Sequence, residues 1–576
     1  MNGLLSLAVP THLVHLAPVD AVIVIFYFAL VLAIGFYLKR RANTSEDYFL
    51  AGREMTAWIA GLSFLSANLG ALELMGWAGA AYQYGILAAH WYWIGAIPAM
   101  IFLGLVMMPF YYISKTHSVP GYLLLRFGPA ARSLSAVTFA FMTVLMSGIN
   151  MYAMAKVMQV VLGWNINFSI VLSSVTVGLY VVLGGLLSAI FNEVLQFMLI
   201  WFGAFLIPLL GLIECGGWQG MVERIKANIP VIHPENPNLD YTHMWRVMGN
   251  SADNAMGMHW TGIVFGLGAV ISMGYWTTDF LVVQRVLTAK DLRAAKMAPI
   301  IGAAFKMFVP FIVILPGLLG LALLPMHLVP ESDPSMGHGG HSYNEVLPLM
   351  LARYCGPGLL GLGITALIAG FMSGMAGNVT AFSTVWTYDI YRPFKPRETD
   401  AHYVLIGRWS TIIGIVISIA TAYIVPQFPS IMDYVQALFS FFIAPLFGTV
   451  LLGMLWKRAT GAGGFLGLLA GVVTSIGMFT WVKLDHDTAI QYVALSSHAS
   501  GQAENMYAAL WSGLICIVVT VIVSLLTPVR PDSELAGLVR SCTVIPPEGD
   551  YPLIHRPVFW AIIIGVVCVI LNIIFW

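Results

Sequence analysis

Fourteen stretches of about 20 mostly apolar residues divide this 576-residue chain, and they limit its possible folds more than any other feature. A helix rises about 1.5 Å per residue, so such a stretch crosses the roughly 30 Å apolar core of a bilayer. The chain is 59% hydrophobic and only 9% charged, whereas soluble proteins carry about 25% charged residues. We therefore predict an all-α integral membrane protein. The predicted spans are residues 20–39, 57–83, 86–113, 133–161, 166–187, 190–213, 259–284, 298–325, 358–388, 403–424, 431–456, 463–482, 506–527 and 557–576.

The same composition excludes several classes of function. The 27 basic and 27 acidic residues give no net charge, so we expect no nucleic-acid partner, which would need a basic face. The five cysteines are scattered without a CxxC spacing, which indicates neither a disulfide framework nor a metal knuckle. The chain also has no GxxxxGK[ST] sequence for ATP. We expect a carrier in contact with membrane lipid, with no catalytic residues, rather than an enzyme.

The basic residues between the spans predict the orientation, because inside loops of membrane proteins carry an excess of Lys and Arg. If the N-terminus lies outside, twenty Lys and Arg fall in inside loops and five in outside connections. An even number of spans then places both termini outside the cell membrane. Residues 336–341 of the long outer connection 326–357 are rich in histidine. We interpret them as a polar loop, with a metal site as the alternative.

Two spans have an unusual composition. Residues 62–76 of the second span place small and helix-weakening residues beside the carboxylate of Glu73. This pattern is typical of a discontinuous helix, whose freed carbonyls coordinate a cation. Residues 369–378 of the ninth span are similar, and we expect an interruption there as well. The alternative for both patches is close helix packing through small residues.

Lys306 is a charge that the bilayer makes costly. It lies about eight residues into its span, or roughly 12 Å at the helical rise. That distance is long for a side chain to reach the interface, so a buried partner is expected. Glu73 is our candidate.

Five short sequences connect the chain to a known family. They are SEDYFLAGR at 45–53, GGL at 184–186 before NEVLQ at 192–196, QRVLTAK at 284–290, YDIY at 388–391 and LWKR at 455–458. In this order and spacing, the chain resembles the sodium:solute symporters over about residues 18–460. It is most similar to the sodium/glucose and sodium/galactose cotransporters of that family.

The resemblance implies a ten-helix, leucine-transporter-like core of two inverted five-helix repeats, with alternating access to a site in mid-membrane. The first repeat is expected at residues 57–213 and the second at residues 259–460. The second repeat includes the outer loop 326–357. An N-terminal helix with its loop (1–56), an outer loop (214–258) and C-terminal helices (461–576) would surround the core.

The resemblance also implies the ion and its ligands. A sodium ion would be held by the carbonyls of Ser66, Leu69 and Gly370 and the hydroxyl of Ser373. The family has a second hydroxyl where this chain has Gly374. A second sodium site in some members lies near an inner acidic residue, here Glu193.

For the solute, the resemblance implies hydrogen bonds from polar side chains and an aromatic ring that closes the pocket from inside. Lys306, Gln436 and Tyr275 match this pattern. Three positions depart from it, because Glu73 replaces a neutral or imidazole group, Tyr92 a glutamate and Ser272 an asparagine. A sugar hydroxyl can donate to Glu73 and accept from Lys306, an amine can use Glu73, and an organic anion can use Lys306.

We therefore predict a sodium-coupled secondary symporter that imports a small polar solute, with a sugar or polyol as the expected class. The alternatives are a nucleoside, carboxylate or amino compound as solute, and proton coupling through Glu73. A sensor built on a transporter frame is a further alternative. It would normally carry a soluble signalling domain, and the tail after residue 528 is too short for one.

Overall fold

Each of the fourteen predicted spans lies on a helix or on a bent pair of helices. A computed structural model describes residues 17–38, 44–232, 236–324, 328–333, 341–546 and 551–576. Within these residues, ten helices are individually long and apolar enough to cross a membrane. Their bounds are Pro18–Leu38, Trp91–Ile113, Pro129–Leu162, Gly184–Cys215, Leu359–Tyr391, Asp400–Gln427, Ile431–Leu455, Gly461–Leu484, Gly501–Leu526 and Pro557–Ile574.

Three more spans are pairs of helices bent by 43° to 56°, and one is a shorter helix. The fifth predicted span begins as the short apolar helix Ile166–Leu179. The bent pairs are the second, seventh and eighth spans, which consist of Ala57–Asn68 with Ala71–Ala89, Gly262–Thr278 with Phe280–Leu287, and Leu292–Lys306 with Pro310–Leu323. All the spans are thus helical, and the all-α prediction is confirmed.

The second span is interrupted where the sequence predicts it. Leu69 leaves the helical region with a ψ of 54°, and the next helix restarts after Gly70. A side chain on Gly70 would not fit, because its Cβ would lie 2.7 Å from the amide oxygen of Asn150 in the fourth span. The missing side chain therefore allows the fourth span to approach the break.

The breaks in the seventh and eighth spans were not predicted. Asp279 separates the two halves of the seventh span, and its carboxylate accepts a hydrogen bond of 2.9 Å from the amide of Leu281. In the eighth span the second half begins at Pro310, which has no N–H to continue the helical ladder.

The expected interruption of the ninth span is wrong. The helix Leu359–Val385 runs through residues 369–378 without a break. Its glycines serve close packing instead: a Cβ on Gly374 would lie 3.1 Å from the Cα of Gly70, and one on Gly377 would lie 3.4 Å from the Cβ of Ala67. The small residues thus let an unbroken helix lie against the broken one.

Burial separates central from peripheral spans. The ninth span is 89% buried and the fourth 78%, whereas the first and the fourteenth are 22% buried. The peripheral helices expose large apolar side chains such as Phe26 and Ile562. Exposed apolar side chains in this number suit lipid rather than water. Residues 60–67 and 71–82, on the two sides of the break in the second span, are also buried, so the break lies in the interior, away from lipid.

The fifth and sixth spans are joined at Gly185, which adopts a φ of 56°. This left-handed backbone favours glycine. A Cβ here would also lie 2.6 Å from the carbonyl oxygen of Tyr48. The position therefore excludes other residues for two independent reasons.

Gly185→Ala should lower the thermal stability of the purified protein in detergent. The left-handed backbone alone costs about 1–2 kcal/mol for alanine, and the contact with Tyr48 adds to it. The matched control is Gly477→Ala in the helix Gly461–Leu484, where a Cβ meets open space. Equal melting temperatures for both variants would contradict this account of Gly185.

Candidate functional site

A central cavity lies beside the break in the second span. It is lined by residues from the second, third, fourth, seventh, eighth, ninth and eleventh spans. All six residues predicted to contact the solute lie on its wall: Glu73, Tyr92, Ser272, Tyr275, Lys306 and Gln436.

The predicted pairing of Lys306 with Glu73 is confirmed. The Lys306 Nζ atom lies 2.6 Å from Glu73 Oε1, and the side chains are only 2% and 6% exposed. Lys306 also donates a hydrogen bond to Asn68 and lies over the rings of Tyr92 and Trp276, at 4.8 Å and 5.2 Å. The ammonium group is therefore held by a carboxylate, an amide and two ring faces.

Glu73 has partners on both carboxylate oxygens. The Tyr92 hydroxyl donates to Oε1 at 2.6 Å, and the Trp77 indole donates to Oε2 at 3.0 Å. On the other side of Lys306, the Asn68 amide donates to the Tyr275 hydroxyl at 2.9 Å. One wall of the cavity is thus a connected chain of hydrogen bonds with no net charge.

Sequence reasoning missed Asn68 and Trp77 as members of this network. Asn68 is the last residue before the break. A polar side chain beside backbone groups that have lost their helical partners is a signal for a binding site. Trp77 follows Glu73 by four residues, the spacing at which two side chains of a helix meet.

Gln436 presents an acceptor that has no partner among the described residues. Its Oε1 atom is buried without a hydrogen bond, and the residue lines the cavity near Glu73. A buried polar atom without a partner is costly. The atom is therefore placed to accept a hydrogen bond from something that enters the cavity.

The four residues predicted to bind sodium meet at the break. The hydroxyls of Ser66 and Ser373 lie 2.9 Å apart, and Ser373 also donates to the carbonyl of Ser66 at 2.8 Å. The carbonyl oxygen of Leu69 lies 3.2 Å from the position that a Cβ on Gly370 would occupy. Hydroxyl and carbonyl oxygens at an unwound helix are the ligands that sodium uses in such carriers.

Glu193, the residue expected near a second sodium, is instead paired with Arg285. Two hydrogen bonds of 2.6 Å and 3.3 Å join the carboxylate to the guanidinium, and both side chains are fully buried. Ser63 donates to the same carboxylate, and Thr380 accepts from Arg285 at 3.2 Å. The pair ties the second, sixth, seventh and ninth spans together on one side of the cavity.

A second buried network lies at the opposite ends of the spans. Lys156 of the fourth span lies 3.1 Å from Glu331 and 2.9 Å from Glu345 of the connection between the eighth and ninth spans. The Tyr152 hydroxyl and the Asn344 amide also donate to Glu331, at 2.6 Å and 3.0 Å. This connection is therefore fixed to the core by buried charges.

Residues 336–340 of the histidine-rich sequence lie outside the described residues. His341 is described, and its Nδ1 atom lies 2.6 Å from Glu345 Oε2. This hydrogen bond raises the pKa of His341 above its ordinary value. The histidine thus belongs to the network around Lys156.

Comparison with known proteins agrees with the geometry. The model of the sodium:solute symporter family matches residues 48–471. The sodium/glucose cotransporter 4 of Mus musculus is 30% identical over 558 residues, which cover 91% of this chain and 78% of that protein. The sodium/myo-inositol cotransporter 2 of Oryctolagus cuniculus is 29% identical over 487 residues, with 81% and 71% covered.

A solved structure shares the fold. A Na⁺-coupled sialic acid symporter in a substrate-bound outward-open state superposes with a TM-score of 0.71 at 20% identity. The alignment covers 89% of this chain and 99% of the symporter. This likeness confirms the predicted fold class.

Glu73 and Lys306 should show strong energetic coupling in a double-mutant cycle of thermal stability. Either Glu73→Gln or Lys306→Gln leaves an uncompensated buried charge and should cost about 3–5 kcal/mol. The double variant should be much more stable than the sum of the two costs predicts. The same cycle on the exposed pair Lys457 and Asp532 should give a coupling below about 1 kcal/mol. Additive costs at Glu73 and Lys306 would contradict the pairing.

Proposed function

Because the chain belongs to the sodium:solute symporter family, we propose that it imports a small neutral solute together with sodium. The solute is a sugar or polyol, and the inward sodium gradient across the cell membrane drives its uptake. The cavity beside the broken second span is the binding site. Its walls are exposed to one side of the membrane at a time.

The observation that carries this proposal is a neutral cavity wall that faces an unpartnered acceptor. Glu73 and Lys306 neutralise each other, so a solute with a net charge would leave one charge of the site without its counterpart. Gln436 supplies an acceptor without a partner among the described residues. A hydroxyl-rich solute satisfies it without adding charge. Carboxylates and amines are therefore disfavoured as solutes.

Each polar residue of the wall has a distinct role in this proposal. Solute hydroxyls donate to Glu73 and Gln436 and accept from Lys306. Tyr92 orients the Glu73 carboxylate, as its 2.6 Å hydrogen bond indicates. Ser272 adds a small hydroxyl beside them. Tyr275 packs against Phe439 with tilted rings whose centroids lie 4.9 Å apart, and it closes the site from inside.

The sodium ion occupies the break next to the solute. Ser66, Leu69, Gly370 and Ser373 supply its oxygens. The contacts of Ser373 with Ser66 and the 3.2 Å between the Leu69 carbonyl oxygen and a Cβ on Gly370 support this set. Asn68 lies between Ser66 and Leu69 in the chain and contacts Lys306. Ion and solute therefore act on the same short segment, which gives a direct physical route for coupled binding.

The two buried networks serve as closures on the two sides of the site. We assign Glu193 with Arg285 to the inner closure rather than to a second sodium, because the guanidinium already neutralises the carboxylate. Lys156 with Glu331 and Glu345 forms the outer closure. Opening on one side requires one network to separate. We also propose that both termini lie outside, because basic residues are in excess in alternate loops.

Uptake into liposomes should require sodium at fixed pH. A purified protein first screened by thermal shift against sugars, polyols, nucleosides, carboxylates and amino compounds should be stabilised most by a neutral polyhydroxy solute with sodium present. Uptake of that solute should fall to background when choline replaces sodium. Unchanged uptake without sodium would favour proton coupling through Glu73, and stabilisation by charged solutes only would contradict the neutral-solute proposal.

Ser373→Ala should raise the sodium concentration for half-maximal uptake roughly tenfold, because the sodium ion loses one of its oxygen ligands. The matched control is Ser383→Ala in the same helix, whose hydroxyl donates to the carbonyl of Gly407 outside the cavity. Its sodium dependence should equal that of the unmodified protein. An unchanged sodium dependence of Ser373→Ala would remove that residue from the ion site.

A further inference from the structure

The space at position 374 is occupied by an amide from another helix. A Cβ on Gly374 would lie 3.0 Å from the Oδ1 atom of Asn150, and a Cβ on Gly70 would lie 2.7 Å from the same atom. Asn150 is buried in the fourth span and lines the central cavity. Its amide oxygen therefore lies at the break, next to the position where this chain lacks a hydroxyl.

The orientation of this amide is set by its other bonds. The Nδ2 atom of Asn150 donates to the carbonyl of Met146 at 3.2 Å, so the oxygen is turned towards the break. The only hydrogen bond that the structure gives this oxygen, among the described residues, comes from the amide of Leu72 at the long distance of 3.5 Å. A carbonyl-type oxygen has two lone pairs, so it has capacity for a stronger partner.

We propose that Asn150 Oδ1 is a ligand of the transported sodium ion and replaces the hydroxyl that position 374 lacks. This inference rests on the sodium coupling proposed above. An amide oxygen is a hard, neutral ligand of the kind that such cations prefer. It completes the oxygens of Ser66, Leu69, Gly370 and Ser373 without changing the charge of the site.

The amide of Asn150 and the missing side chain of Gly374 depend on each other, because the amide occupies the space that a side chain at position 374 would need. A side chain at 374 would lie 3.0 Å from the Asn150 amide and 3.1 Å from the Gly70 Cα, so a hydroxyl at 374 and an amide at 150 compete for the same space. Glycine at 374 is then a condition for the ligand from the fourth span. This arrangement gives the ion a contact with the fourth span, in addition to the second and the ninth. The fourth span also carries Tyr152 and Lys156 of the outer closure.

Sodium binding without solute tests this inference directly. The readout is the sodium-dependent rise in melting temperature of the purified full chain in detergent, titrated against choline at constant ionic strength. Asn150→Ala should raise the half-saturating sodium concentration roughly tenfold or more. Asn150→Asp, which has the same shape and adds a charge, should lower it.

A rescue variant separates a ligand role from a packing role. Gly374→Ser alone should weaken sodium binding, because its Cβ meets the Asn150 amide. Combined with Asn150→Ala, the serine gains room and a hydroxyl, and sodium binding should return towards that of the unmodified protein. Asn228→Ala is the matched control, since Asn228 also donates to a carbonyl, that of Leu321, but lies outside the cavity.

Two results would overturn the inference. One is an unchanged sodium titration of Asn150→Ala or of Asn150→Asp. The other is a double variant as weak as Asn150→Ala, which would assign Asn150 to packing alone. A different result, no sodium-dependent stabilisation of the unmodified protein, would overturn the proposed sodium coupling itself and this inference with it.

Discussion

The interruption of the second span at Leu69 and Gly70 is the constraint on which the rest of the site depends. Inside a bilayer every backbone polar group needs a partner from the protein. Here the amide of Gly70 donates to the carbonyl of Asn68 at 2.8 Å, and Ser373 donates to the carbonyl of Ser66. The unbroken ninth span makes this possible, because its small residues let the helix approach the break closely enough to supply the hydroxyl.

Buried ion pairs form the second layer of the structure. Such pairs are weak evidence for stability, because the desolvation of both charges offsets their attraction. A chain with only 9% charged residues nevertheless buries Glu73 with Lys306 and Glu193 with Arg285. Each pair joins a helix of the first proposed repeat to one of the second. These ion pairs therefore connect the two proposed repeats, which move relative to each other in alternating access. An apolar contact could also hold the repeats together, but it is less directional than an ion pair.

Local sequence features predict much of this structure, and contacts between distant helices account for the rest. Hydropathy predicts where the spans lie, and the cost of a charge in lipid predicts a partner for Lys306. The small residues of the ninth span are compatible with either a break or close packing, and the adjacent break at Gly70 decides between them. The pairing of Glu193 with Arg285 joins residues 92 positions apart. No local pattern marks such a pair, so the expectation of a sodium site at Glu193 rests on the family resemblance alone.

Asn68 provides the physical link between the proposed sodium ion and the proposed solute. Its carbonyl accepts from Gly70 at the break, and its side chain contacts Lys306 and the hydroxyl of Tyr275. An ion that fixes the backbone at Ser66 and Leu69 therefore also fixes the position from which Asn68 holds Lys306. A solute that engages Lys306 acts on the same residue from the other side. Because coupling between two binding sites is reciprocal, each ligand favours the arrangement that the other requires, and neither needs to contact the other.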